Sequence, residues 1–427
     1  PNNELNEINR NTEEEPDVYL MFDYDSLKRE IRKEHELENE VAEQFNVEST
    51  DVVDDDQFGE WILSTGKNIS RILKEFRAKI PKTKAFFYPT FFGILDLSGE
   101  DTEVKEFFTD EEWCEMTSDF SKTVTFHDVN EQEEKLLYNL LDNIEKVLGK
   151  KPNDLVTEIE KCIIEGFPKI NVIRRLIQTY VYNLERLGST TSEAAFCSNF
   201  INMMTKGILT YQQKLEYDEG EIQSLASALI ANLSKKPTDR SLIGQKCDFR
   251  VTADGFEAIV GLRSGGLPEA CKAKKWDDKV DLMVAMRDVI LKEAIECNGV
   301  DCQDFKRIYT LGVHSYGFYY NVYAMDWRAK GLWRLGLLKK TRLPQSNGQL
   351  LMIEKLVTTL LRIESHTSKV SGTIWLSKPQ DCIETDAVQS FLNNMQFVKK
   401  GAYDEYVLKN ILKGKCTIKH SILPKTE

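Results

Sequence analysis

The hydrophobic pattern of the chain changes its period near residue 243, and this change constrains the fold more than any other feature. Before it, apolar residues recur every three to four positions, as in helices, whereas residues 247–252 and 256–260 alternate apolar and polar side chains. The turn Ala253-Asp254-Gly255 separates the two alternating runs. An Asp-Gly pair between two such runs predicts a β-hairpin.

The elements after residue 190 follow one another in an order that defines a fold class. A capped helix starts at Glu193, the hairpin follows, and a helix with apolar residues at helical spacing runs from Asp277 to Cys297. Three further strand-like runs at 308–315, 318–327 and 332–338 precede a last helix at about 348–364. This order predicts a mixed sheet flanked by helices, in an α/β or α+β core.

The segments on either side of this core have other patterns. Residues 1–16 are polar and acidic, which predicts a disordered tail. Helical periodicity prevails in residues 17–188, so we expect a mainly helical domain there. The core then occupies residues 189–368, and residues 369–427 form a C-terminal extension packed on it. A chain of 427 residues is long enough for this division.

Charge and cysteine content limit the classes of protein to consider. The formal net charge is −13, but residues 1–60 hold 20 of the 69 acidic residues and 5 of the 56 basic ones, so the rest is nearly neutral. Such a balance neither requires nor forbids a nucleic-acid partner. Nine scattered cysteines without a Cys-x-x-Cys pair predict reduced thiols. With no run of eighteen apolar residues, these features predict an intracellular protein of the cytoplasm or nucleus without a membrane partner.

The candidate metal-binding residues lie in the predicted hairpin. Asp248 lies at the end of a predicted strand, beside a second strand that carries Glu257. Two carboxylates on neighbouring strands can share Mg²⁺ or Mn²⁺, because hard cations prefer oxygen ligands. Such a metal would activate water and stabilise the charge that develops on a cleaved phosphodiester. The residues alone equally allow an ordinary strand acid paired with Lys246 or Arg250.

Short segments between about Thr191 and Pro344 resemble the PD-(D/E)XK nuclease superfamily, through a family of uncharacterised fungal proteins. The resemblance covers roughly 150 residues. It is carried by Ser192-Glu193-Ala194-Ala195-Phe196, Gly244-Gln245-Lys246-Cys247-Asp248-Phe249-Arg250-Val251, Ser264-Gly265-Gly266-Leu267-Pro268, Trp276-Asp277-Asp278-Lys279, Arg287-Asp288-Val289 and Arg342-Leu343-Pro344-Gln345. It implies a restriction-endonuclease-like core and a metal-dependent nuclease centre.

The resemblance assigns roles to only part of that centre. Glu193 matches the helical glutamate and Asp248 the strand aspartate. The Glu-x-Lys element does not match, since Leu262 and Ser264 stand where its carboxylate and its lysine are expected. Glu257 is then the candidate replacement for the missing carboxylate.

Two basic residues are candidates for the missing lysine, and two basic clusters are candidates for binding phosphates. Arg263 or Lys279 would supply the cation in the catalytic centre. The clusters are Lys272, Lys274 and Lys275 after the glycine-rich loop, and Lys339, Lys340 and Arg342 at a strand end. If both clusters face the same side, they would position DNA or RNA without reading its sequence.

Two functions from different classes follow from these residues. One is a nuclease-like, nucleic-acid-associated protein, with Mg²⁺- or Mn²⁺-dependent cleavage if the centre is active and a degenerate pseudoenzyme centre otherwise. The other is a non-catalytic scaffold that reuses a nuclease-like fold and binds a protein partner through its helical half.

Overall fold

The computed structural model describes residues 60–80, 87–124, 126, 128–150, 152–188, 190–232, 241, 243–296, 308–329 and 331–376. The tail predicted at 1–16 and the part of the predicted extension beyond residue 376 lie outside these residues.

Seven strands form one mixed sheet. They are β1 (Ile94–Asp96), β2 (Leu215–Gln223), β3 (Lys246–Ala253), β4 (Phe256–Ser264), β5 (Tyr309–Tyr316), β6 (Tyr319–Ala329) and β7 (Leu332–Arg342). Their order across the sheet is β1-β7-β6-β5-β4-β3-β2. β1 is parallel to β7 and β4 is parallel to β5, while the other neighbours are antiparallel.

The hairpin that the sequence predicts is β3 and β4. Asp254 and Gly255 both have positive φ angles, 52° and 85°, as a two-residue hairpin turn of the primed type requires. Phe249 pairs with Gly261 and Val251 with Ile259, but Glu257 pairs with Thr252 because a bulge shifts the register between them. Because of the bulge, the strand pairing at the turn end of the hairpin differs by one residue from the pairing at its open end.

Helices lie before, between and after the strands. They are α1 (Ile69–Lys79), α2 (Thr102–Lys105), α3 (Asp110–Thr123), α4 (Glu131–Glu145), α5 (Pro152–Lys161), α6 (Pro168–Leu184), α7 (Glu193–Phe196), α8 (Met203–Leu209), α9 (Leu225–Asn232), α10 (Lys272–Glu296) and α11 (Ile353–Leu376). A π-helical segment, Cys197–Asn202, joins α7 to α8, and a 3-10 helix, Asn347–Met352, leads into α11.

Helices cover both faces of the sheet. α10 connects the parallel strands β4 and β5 and packs on one face, where Met283 and Met286 lie in one apolar cluster with Val260. On the other face, α8 and α11 contact the sheet, and Phe249 and Val322 belong to the larger core that these helices share with α4 and α6. The protein therefore has an α+β fold with a mixed sheet flanked by helices, as predicted.

Some elements differ from the sequence prediction. α10 begins at Lys272, five residues before the predicted start at Asp277. The edge strand β2 and the short helix α9 were not predicted. The sequence of β2 lacks the alternation of apolar and polar residues that predicts a strand. Much of this strand is exposed, so polar residues occupy both of its faces.

The predicted boundary at residues 188 and 189 falls between α6 and α7, which share one core. Tyr180 of α6 packs edge-to-face on Phe200 and donates a hydrogen bond from its hydroxyl to the Pro344 carbonyl at 2.7 Å. β1 from the first half also pairs with β7. Among the described residues, no helix combines the length and the apolar composition that a membrane span requires.

Candidate functional site

One end of the sheet, on the face that α10 covers, carries two rows of paired side chains. The outer row crosses the sheet through Ser264, Tyr316, Tyr319 and Arg342. The inner row, two residues further in, contains Leu262, His314, Asn321 and Lys340. Continuing the β3–β4 register from the Phe249–Gly261 pair places Asp248 next to Leu262 on the same face.

Asp248 is fixed by the backbone of the neighbouring strand. The amide nitrogen of Arg263 donates to Asp248 Oδ2 at 2.7 Å. Burial raises the pKa of Asp248 to about 6, while the hydrogen bond and the charge of Arg263 lower it and the carboxylates of Glu193 and Asp278 raise it further. A carboxyl with a pKa near neutrality is typical of functional sites, although structural clusters show the same shift.

Glu193 approaches the same centre from the first turn of α7. Its Oε2 atom accepts hydrogen bonds from the Gly265 amide at 2.7 Å and from Lys274 Nζ at 2.8 Å. The loop at Gly265 and Gly266 comes close enough because it has no side chains there: a Cβ atom on Gly266 would lie 2.1 Å from the Thr191 carbonyl oxygen. Glycine is the residue that permits such an approach.

Asp278 enters the centre from α10. Ser264 Oγ donates to Asp278 Oδ2 at 2.6 Å and lies 2.7 Å from His314 Nε2. Burial raises the pKa of Asp278 to about 6, and burial lowers the pKa of His314 to about 3. The His314 imidazole is therefore neutral. The single hydroxyl proton of Ser264 is directed to Asp278, so His314 Nε2 is the donor in the hydrogen bond between His314 and Ser264 Oγ. We call Glu193, Asp248 and Asp278 the carboxylate centre.

Glu257 lies elsewhere. Its carboxylate accepts hydrogen bonds from the amides of Leu225 and Ala226 at 2.8 and 2.7 Å and from Ser224 Oγ at 3.2 Å, so it caps the N-terminus of α9. It pairs with Thr252 in β3, four residues beyond Asp248. At a rise of about 3.3 Å per residue, the two carboxylates are separated by roughly 13 Å. The structure does not bring Glu257 and Asp248 together as ligands of one metal.

The two candidates for the missing lysine also have other partners. Arg263 turns its side chain to the opposite face, where its guanidinium lies over the Phe249 ring at 4.9 Å from the centroid and donates to Tyr217 Oη at 3.2 Å. Lys279 is 2% exposed and donates to Asp96 Oδ2 at 2.7 Å, to Ser98 Oγ and to Glu100. Neither cation faces Asp248.

The cation that does reach the carboxylate centre is Lys274. Burial lowers its pKa, but the hydrogen bond to Glu193 and the charges of Glu193, Asp278 and Asp248 raise the pKa above its ordinary value. Leu262, where a carboxylate was expected, is 8% exposed and belongs to the apolar cluster beneath α10.

Each carboxylate of the centre already accepts a hydrogen bond from the protein. Within the part of the chain that the structure describes, no three His, Cys, Asp or Glu side chains are placed to hold a metal ion together. Glu193 shares its Oε2 atom between Gly265 and Lys274, and Asp278 accepts from Ser264 through Oδ2.

The two predicted basic clusters are linked by aromatic rings. Lys275 Nζ lies 4.6 Å from the Tyr316 ring centroid, and the Tyr316 and Tyr319 rings are 5.4 Å apart. Lys340 Nζ and the Arg342 guanidinium lie 5.3 and 5.9 Å from the Tyr319 centroid. We call these five residues the basic–aromatic surface; it lies on the same sheet face as Asp248.

The other predicted basic residues lie apart from this surface. Lys274 is engaged by Glu193, and Lys272 is exposed at the first residue of α10. Lys339 is exposed and pairs with Val322, so its side chain alternates to the opposite face from Lys340. Lys275 also contacts Glu269 Oε2 at 2.6 Å.

Sequence reasoning missed Asp278, His314 and the two tyrosines as parts of the site. One signal was present for Asp278, which follows Lys274 by four residues and therefore shares its face of a helix. Using that signal requires α10 to begin before Lys274, whereas the prediction began it at Asp277. His314, Tyr316 and Tyr319 depend on the register of β4, β5 and β6, which has no local signal in the sequence.

Comparison of the chain with protein-family models, with curated proteins and with solved structures gives no match in any of the three.

Proposed function

We propose that the core formed by residues 189–368 is a nuclease-like nucleic-acid-binding module of the PD-(D/E)XK type with a degenerate catalytic centre. The order of elements supports this proposal. An acid-bearing helix, α7, precedes the strand that carries Asp248, and the partner strand β4 ends at the Leu262–Ser264 segment. Burial raises the pKa of Asp248, and the charge of Glu193 raises it further, as expected if the Glu193 carboxylate lies near Asp248.

Loss of metal-dependent cleavage is supported by what surrounds Asp248. Leu262 and Ser264 replace the strand carboxylate and lysine, and Glu257 caps α9 instead of completing the centre. The cation that contacts Glu193 is Lys274 of α10, which carries a single positive charge. A carboxylate pair without a second strand ligand would bind Mg²⁺ weakly, since this ion requires several oxygen ligands in near-octahedral geometry.

The observation that carries nucleic-acid binding is the basic–aromatic surface. Lysine and arginine neutralise backbone phosphates, and tyrosine rings offer faces for bases. Lys340 and Arg342 are exposed at the end of β7, while Tyr316 and Tyr319 are partly exposed between them and Lys275. Because the surface lies on the same face of the sheet as the carboxylate centre, a strand bound there would pass near that centre.

The test measures binding of fluorescent DNA and RNA oligonucleotides by anisotropy at several salt concentrations. The double variant Lys340→Glu, Arg342→Glu should weaken binding strongly and reduce the slope of log K against log salt by about two, as expected for two lost phosphate contacts. The matched control is Lys122→Glu, Lys135→Glu, at exposed positions of α3 and α4, and it should bind as the wild type does.

Cleavage is assayed on the same oligonucleotides with Mg²⁺ or Mn²⁺, comparing the wild type with Asp248→Ala. The proposal expects no cleavage by either protein. Cleavage by the wild type that Asp248→Ala abolishes would show a working enzyme. Absence of any nucleic-acid binding would instead leave the non-catalytic protein scaffold as the better explanation of the fold.

A further inference from the structure

Lys274 contacts one member of the carboxylate centre and lies within the electrostatic influence of the other two. Its Nζ atom donates to Glu193 Oε2 at 2.8 Å, and the charges of Glu193, Asp278 and Asp248 all act on it. Asp278 lies one helical turn further along α10, on the same face as Lys274. The three carboxylates come from α7, β3 and α10, so only the tertiary fold brings them to Lys274.

A cation is needed at this place for electrostatic reasons. Burial raises the pKa of both Asp248 and Asp278, and the charge of Glu193 raises each of them further, as expected for carboxylates that repel one another when ionised. Among the other nearby cations, Arg263 donates a hydrogen bond from its backbone amide to Asp248, and its charge lowers the pKa of Asp248. Its guanidinium, however, lies on the opposite face of the sheet. Lys279 is bound to Asp96 and Glu100.

We propose that Lys274 is the built-in counter-cation of the carboxylate centre, and that its ammonium group excludes divalent metal ions from that centre. The tethered ammonium compensates part of the negative charge without a free ion. Its side chain is 47% exposed, so solvent ions have access to the place it occupies. The ammonium group of Lys274 and the apolar side chain of Leu262 together disfavour a divalent metal ion at the carboxylate centre.

The experiment titrates Mn²⁺ alone into the full chain, with binding followed by calorimetry and by the electron paramagnetic resonance of free Mn²⁺. Lys274→Met keeps the length of the side chain and removes its charge. This variant should bind Mn²⁺ at least roughly tenfold more tightly than the wild type, because a competing positive charge has been removed from beside the carboxylates. Adding Asp248→Asn to Lys274→Met should abolish the gain.

The matched control is Lys272→Met, which removes an exposed lysine from the same helix and should bind Mn²⁺ as the wild type does. Equal Mn²⁺ affinity of the wild type and Lys274→Met would overturn the proposal, as would a gain that survives Asp248→Asn. Lys274→Gln serves as a second uncharged variant. If both uncharged variants lose their folded circular dichroism spectrum, the proposal requires Asp248→Asn to restore it, and failure to restore it overturns the proposal.

This inference goes beyond nucleic-acid binding and does not depend on it. Mn²⁺ binding reports on the carboxylate centre, whereas oligonucleotide binding reports on the basic–aromatic surface, which does not include Lys274. A negative result in the oligonucleotide experiment therefore does not contradict the role of Lys274, and a negative result in the Mn²⁺ experiment does not contradict nucleic-acid binding.

Discussion

At the scale of single residues, Asp248 combines burial with two acidic neighbours. Its pKa of about 6 lies above the ordinary value of 3.8, so the folded protein holds this proton more tightly than the unfolded chain does. The contribution of Asp248 to stability is therefore greatest at low pH and decreases as pH rises from about 4 through 6. Above that range the ionised group costs roughly 1 to 2 kcal/mol after allowance for solvent screening.

Asp248→Asn should therefore unfold at a higher urea concentration than the wild type at pH 7.5, by roughly 1 to 2 kcal/mol in unfolding free energy. The Asn side chain retains an oxygen to accept the hydrogen bond from Arg263, so the removed charge is the main change. The difference should shrink as the pH is lowered to 4. The matched control is Asp142→Asn, at an exposed position of α4. A difference independent of pH would contradict the assignment.

At the scale of elements, Glu257 joins the hairpin to α9. It is 2% exposed, and its carboxylate accepts the first amides of α9, which have no partner within the helix. A carboxylate at this end also complements the helix dipole. The acid that sequence reasoning placed in a metal site thus stabilises a helix terminus in the structure.

Glu257→Gln should lower the free energy of unfolding by roughly 2 kcal/mol, because the amide NH₂ group would face backbone donors in a buried place. Equilibrium urea denaturation measures the change. Glu221→Gln, which removes an exposed ion pair with Lys246, should change the free energy by less than about 0.5 kcal/mol. Similar losses in the two variants would refute the capping role, and oligonucleotide binding by folded Glu257→Gln should equal that of the wild type.

At the scale of the whole molecule, the first half of the chain is anchored to the sheet by buried charges. Lys279 of α10 forms an ion pair with Asp96 of β1, and both side chains are almost fully buried. Arg334 of β7 contacts Asp326 and Asp119 of α3, each at 2.5 Å. Since the Lys279–Asp96 and Arg334–Asp119 pairs join segments far apart in sequence, the described part of residues 60–188 and the sheet should unfold together.

Lys279→Met should cost roughly 3 kcal/mol or more, since it leaves the carboxylate of Asp96 buried without its cation. The variant and the wild type should each show one unfolding transition when followed by tryptophan fluorescence and by circular dichroism. Adding Asp96→Asn should recover part of the loss, and Lys122→Met on the exposed surface of α3 is the control. Two separate transitions in the wild type would contradict the shared core.

The sequence by itself determined the local elements of the hairpin. Alternation and the Asp254-Gly255 turn define the β3–β4 hairpin, because side-chain periodicity is a property of neighbouring residues. The same turn already separates Glu257, next to it, from Asp248 at the far end of β3. Asp248 and Glu193 as parts of one catalytic centre remain a prediction, and the charge of Glu193 acts on Asp248 in the structure.

Only the tertiary structure decided which groups surround Asp248. Lys274 and Asp278 act on Asp248 through their charges because α10 crosses over between β4 and β5. The basic–aromatic surface forms because β5, β6 and β7 are neighbours in the sheet. These contacts join residues distant in sequence, and they are selected by the burial of the whole core. For that reason the pattern of residues 247–260 predicts a hairpin, but not the cation beside its aspartate.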